Sequence, residues 1–141
     1  MFQQIAPNAL DPGFIYAPTR GASFYNVAVR KTMHDTGLTY GLTPIFGYGQ
    51  GNTYTWPGKT FEVQSGRAIQ VRWENQLVQG GSPVDHILPV DTTLHWAYSL
   101  HGYEQYSIPE DGVPIIPHVH GGHNLAKYDG NPEFFFSPRW K

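Results

Sequence analysis

The chain has 141 residues, 40% of them hydrophobic and only 14% charged, with a net charge of −2. That is enough for one domain with a real hydrophobic core and too few for two, and it carries no basic footprint for nucleic acid. Cysteine is absent, which excludes thiolate catalysis, zinc ribbons and disulfides, so any metal must be held by His, Asp, Glu or other oxygen donors.

Sixteen glycines, twelve prolines and 15% aromatic residues favour many short strands joined by turns, an all-β sandwich or barrel. No run approaches the length of a transmembrane helix, and Met1–Pro7 has neither the charged nor the apolar region of a signal peptide. Residues 1–21, rich in Pro, Ala and Gly and without a period, read as an extended N-terminal arm. The body of the fold is expected over residues 22–141.

Residues 24–33 alternate Val27 and Val29 against polar neighbours and predict the first strand, closed by a turn at Thr36-Gly37. A second strand is predicted from Leu42 to Tyr48, running out in a flexible glycine-rich stretch over residues 47–52. Trp56-Pro57-Gly58 marks a tight turn, since proline presets φ and glycine tolerates positive φ. A short strand at Phe61-Glu62-Val63 is expected next, then a turn at Ser65-Gly66. Residues 68–75 alternate cleanly, with Ile69, Val71 and Trp73 facing inward. Helical period is scarce, and its best short candidate is Leu94–Leu100. Residues 76–112, punctuated by Gly80-Gly81, Pro83, Pro89 and Pro109, read as a long irregular insertion of the kind that usually carries function or covers a neighbour.

Residues 113–120 then predict the approach to a core strand, ending in Pro117-His118-Val119-His120-Gly121-Gly122. Two histidines one residue apart in a strand project from the same face. Two imidazoles converging there, with glycines allowing close approach, form a natural edge for a transition-metal site. Imidazole suits copper, zinc, iron and nickel alike, so the pair alone does not name the metal.

Several blocks, in one order, resemble the first cupredoxin domain of the multicopper oxidases, in particular laccase-like enzymes such as spore-coat laccase, bilirubin oxidase and phenoxazinone synthase. They are Phe46-Gly47-Tyr48, Trp56–Val63, Gly66–Asn75, His118–Gly122 and Asp129-Gly130-Asn131-Pro132-Glu133, so that the resemblance covers residues 42 to 141. It implies a cupredoxin-like Greek-key β-sandwich or barrel. It also implies copper as cofactor, with His118 resembling a ligand of the type 2 copper and His120 a ligand of the type 3 pair in a trinuclear cluster that reduces dioxygen to water. The family's second His-x-His motif of this domain and its type 1 cysteine have no counterpart here. The resemblance therefore implies an incomplete domain, a fragment or subunit whose partners are the remaining part of the same enzyme, dioxygen and a small reducing substrate such as a phenol. It implies an extracellular, periplasmic or spore-surface setting, with no membrane or nucleic-acid partner and no activity for the chain alone.

The competing expectation is a free-standing copper- or zinc-binding β-domain using His118, His120 and His123 without catalysis. A non-metal interaction module is the third. His95 and His101 fall in the insertion, His34 and His86 are expected at the surface, and Asp85, Asp91, Glu104, Glu110 and Asp111 are expected to solvate a loop. Trp56, Trp73 and Phe134–Phe136 are expected in a core or interface. Ser99, His101 and Asp111 lack the nucleophile elbow of a hydrolase, and the glycines at 47–51 precede no dinucleotide-binding helix.

Overall fold

The computed structural model describes residues 5, 7–37, 41–91 and 106–140. They group into two units, Met1–Glu74 and Asn75–Lys141. Among the described residues nearly all extended regular structure is β, in keeping with the all-β, cupredoxin-like expectation; the helical pieces are one α-turn and two 3-10 turns.

The first unit is built on a four-stranded sheet in the order β3-β2-β1-β4, from β1 (Phe24–Asp35), β2 (Leu42–Gln50), β3 (Thr53–Thr55) and β4 (Gln70–Asn75). β1 and β2 pair antiparallel from Ala28↔Gly49 to Asp35↔Leu42. Asp35 and Gly37 close the far end, where the Gly37 N–H donates to Asp35 Oδ1 and Gly37 sits at φ 73°. Val27 is fully buried, and Tyr25, Ala28 and Val29 are nearly so. The core beside them is aromatic. Phe61 packs on Tyr16 at 4.7 Å, on Tyr25 at 5.2 Å and on Trp73 at 6.2 Å, while Trp73 reaches Tyr48 at 5.5 Å. Ile69, Val71 and Trp73 do face this core. Such tilted and edge-to-face contacts each add about 0.5–1.5 kcal/mol beyond area burial.

Three local expectations are corrected. The glycine-rich stretch after Tyr48 is not a flexible end, since β2 runs on to Gln50 and turns through Gly51-Asn52 into β3. Its glycines are there for close approach: a Cβ on Gly49 would stand 2.0 Å from the Thr53 carbonyl oxygen, and one on Gly47 3.1 Å from that of Thr55. Gly58 likewise does not use positive φ. A Cβ there would meet Tyr48 at 3.1 Å and the Tyr16 hydroxyl at 3.2 Å. The Trp56–Pro57 bond before it is cis.

The third correction is the strand expected at residues 61–63, which does not form. Thr60 pairs with the arm in a single parallel bridge to Ile15, its N–H donating to Phe14 O and its carbonyl accepting from Tyr16 N, both at 2.9 Å. Continuing that register requires an N–H from residue 18, and Pro18 has none. The arm instead leaves the edge, with Ala17 O taken by the Gln50 side chain and Thr19 N donating to Phe24 O.

The second unit carries a short hairpin, β5 (Val78–Gln79) with β6 (Ser82–Pro83), turned by Gly80 at φ 58° and Gly81 at φ 83°. Positive φ at both central residues is what a type I′ turn demands. One α-turn, α1 (Ile108–Asp111), follows. The helical candidate at Leu94–Leu100, with His95, His101 and Glu104, lies outside the described residues.

Gly49→Ala should therefore cost about 3 kcal/mol, at the upper end of overpacking penalties. Gly51→Ala has open space around it and should cost about 1 kcal/mol for its φ of 60°. Chemical denaturation of the two variants checks the order, and a costlier Gly51 substitution would overturn the close-approach explanation.

Candidate metal site

The second unit is organised around Asn75. Its Nδ2 donates to Val113 O at 2.8 Å and to Phe136 O at 3.3 Å, while its Oδ1 accepts from Leu77 N at 3.1 Å. One side chain thus ties together the segment that leads to the histidines and the segment that ends the chain. Next to it, Ile115 and Phe136 exchange two backbone hydrogen bonds at 2.9 and 3.1 Å in an antiparallel bridge.

The base of the unit is equally interlocked. Buried Ser137 donates to Asp111 O at 2.6 Å and accepts from Trp140 N at 3.1 Å. Arg139 donates to Glu110 O at 3.2 Å and to Gly81 O at 2.8 Å. Asp111, expected to solvate a loop, accepts from Ser107 N at 2.8 Å and so belongs to the frame. Tyr106 stacks edge-on against Phe135 at 4.9 Å and Trp140 at 5.9 Å, and its hydroxyl donates to Gly112 O. Burial, the largest cause, pushes its phenol up to about 12.

From this frame the chain runs out to the histidines, and here the strand expectation fails. Beyond the single bridge at Ile115, residues 116–119 have no regular structure. Pro114 and Pro117 have no N–H to offer a ladder. A turn closes directly afterwards: Gly122 N donates to Val119 O at 3.0 Å, and Gly121 lies at φ 74°, the third position where a type II turn takes glycine. His120 is thus a turn residue rather than a strand residue.

The two imidazoles nevertheless stand together, their centroids 5.9 Å apart and their planes at 86°. His118 is also held from below. Its Nδ1 lies 3.2 Å from Asp129 Oδ1, and its ring rests over Gly130, where a Cβ would come within 3.4 Å of Cγ. Asp129 is placed by a 3-10 turn at Ala126–Tyr128, its N–H donating to Ala126 O at 3.3 Å, and by Gly130 at φ 76°. Asn131 then caps the next turn, accepting from Glu133 N at 3.0 Å.

A carboxylate at Nδ1 favours the proton on that nitrogen and leaves the Nε2 lone pair for a metal. The donor set fits a transition ion in kind but not in number. Among the described residues no group of three or more His, Asp or Glu could hold a metal ion.

The sequence named Asp129 only within a block, without a role; the signal was an Asp-Gly turn following a His-x-His. Elsewhere, His34 is half-buried, with Trp56 edge-on at 6.2 Å, rather than at the open surface. His86 is also half-buried, with its Nε2 shielded. His123 is exposed, Trp56 is largely exposed, and of the three consecutive phenylalanines only Phe135 is buried.

No family model matches the chain. No solved structure matches it either. Among characterised proteins it is 30% identical over 131 residues to "Laccase" of Bacillus subtilis (strain 168), covering 93% of this chain and 22% of that protein. It is 36% identical over 100 residues to "Multicopper oxidase LPR2" of Arabidopsis thaliana, covering 70% of this chain and 15% of the plant protein. It is 27% identical over 118 residues to "Laccase" of Haloferax volcanii, covering 84% of this chain and 19% of the archaeal protein. The chain thus spans about a fifth of the length of these relatives.

Tyr106 yields a pH prediction. A tyrosine whose folded value lies above its ordinary 10.0 favours the fold while protonated. Its contribution is complete below pH 10 and is lost as pH rises through about 12. Alkaline unfolding followed by circular dichroism should show this loss in the parent protein and a shallower one in Tyr106→Phe.

Proposed function

Because the chain belongs to the multicopper oxidases, whose cofactor is copper, we propose that it supplies His118 and His120 to a copper cluster shared with the rest of a laccase-like oxidase. The observation that carries the reading is the His118–Asp129 contact at 3.2 Å beside an edge-on His120. On this reading His118 serves the type 2 copper and His120 one of the type 3 pair. Bound copper supplies the one-electron redox steps by which dioxygen is reduced to water.

The chain's own residues do the holding. Asp129 orients the His118 ring through Nδ1, which leaves Nε2 as the nitrogen that would face a metal. Gly121 and Gly130 set the two backbone turns that aim the rings. Val119, Leu125, Tyr128 and Phe134 are all more than half exposed around this segment. Large apolar side chains in that density support a surface covered in the whole enzyme, which excludes bulk water from the imidazoles. Among the described residues no third donor joins these two, which supports a shared cluster over a self-contained metal domain. The reducing substrate, a phenol or similar small molecule on this reading, is oxidised away from these residues.

In the complete copper-loaded enzyme, His118→Ala or His120→Ala should lower oxygen consumption more than about a hundredfold and release cluster copper. Asp129→Ala, which leaves both ligands in place, should weaken copper retention about 10- to 100-fold. Oxygen uptake and bound copper measured on the same preparations check both, and unchanged copper in the two histidine variants would refute the assignment.

A further inference from the structure

The predicted strand that failed to form leaves a feature on the first unit that the copper reading does not use. Beside residues 62–64 runs a groove of about 490 Å³, walled on its other side by Ala22, Ser23 and residues 67–69. Its floor is Tyr25 and Ile69, two residues of the unit's apolar interior. Among the described residues neither Glu62 nor Val63 has a backbone hydrogen bond. The register that begins at Ile15 and Thr60 stops at Pro18, so the edge is vacated next to a β-competent sequence. Glu62 and Arg67, both exposed and both lining the groove, have no ion-pair partner among the described residues.

We propose that this groove binds an extended peptide segment, by strand addition along Glu62–Val63. The unpaired N–H and C=O groups of Glu62 and Val63 supply the main-chain hydrogen bonds of such a mode, the Gln64 carbonyl being taken by the Arg67 N–H at 3.1 Å, and alternate side chains of the guest point into the floor. The floor takes one aliphatic side chain, which Tyr25 and Ile69 contact from below. The two unmatched charges define what flanks it: a basic residue opposite Glu62 and an acidic one opposite Arg67. Those two charges lie on the rims, so they select the guest and its direction, while the backbone ladder and the aliphatic side chain hold it. The site is independent of metal.

The test uses amide chemical shifts of the metal-free protein with two synthetic probes, acetyl-Lys-Val-Asp-amide and acetyl-Asp-Val-Lys-amide. One order should saturate, shifting the amides of Glu62, Val63 and Ile69, and N-methylation of its valine should weaken it about tenfold. The exchange Glu62→Lys with Arg67→Glu, at two exposed positions, should reverse the preferred order. Equal binding of the N-methylated probe, an unchanged order preference in the double variant, or no saturable shift at these amides would overturn the proposal.

Discussion

The amide of Asn75 is the constraint on which the second unit rests. It reaches Val113 and Phe136, residues 38 and 61 positions along the chain, and completes its own turn through Leu77 N. A carbonyl left unpaired in a half-buried place costs about 1–3 kcal/mol. One side chain answers two such groups, so the segment entering the histidine region and the segment returning from it are held in one register. Everything outward follows from that spacing: the Ile115–Phe136 bridge, then His118 on one segment, and Asp129 before the other.

The histidine pair is consequently aimed without a sheet beneath it. Strand alternation would place two imidazoles on one face by repeating geometry. Here a turn with Gly121 sets one ring, and a carboxylate eleven residues away sets the other. The two arrangements have different chemistry. A strand would leave both rings alike, whereas Asp129 acts on His118 alone and makes the pair inequivalent. That inequivalence is what the proposed assignment of the two rings to different metal ions requires.

In the first unit, much was legible in the sequence. Val27 and Val29, then Ile69, Val71 and Trp73, alternate as inward-facing strand residues should, and they do face the interior. The turns at Thr36-Gly37 and Ser65-Gly66 were equally plain, because aspartate, serine and glycine turns are built by local chemistry. What misled was glycine and proline acting at a distance. Gly47, Gly49 and Gly58 read as freedom, but at Gly49 another strand comes too near for a Cβ, and at Gly47 and Gly58 a strand or ring leaves a Cβ only a tight fit. Phe61-Glu62-Val63 reads as a strand, and its failure is decided forty-three residues earlier by Pro18, whose missing N–H ends the ladder.

The identity of the candidate donors, two imidazoles one residue apart with no thiolate to compete, was determined by the sequence itself, as were the ordered blocks that resemble the multicopper oxidases. These are matters of side-chain chemistry and need no fold. Which nitrogen of His118 is left open, that His120 sits in a turn, and that an Asp-Gly pair supports the site were decided only by tertiary structure. The reason is that orientation depends on contacts between segments far apart in the chain, set here by Asn75, and local periodicity carries no record of them.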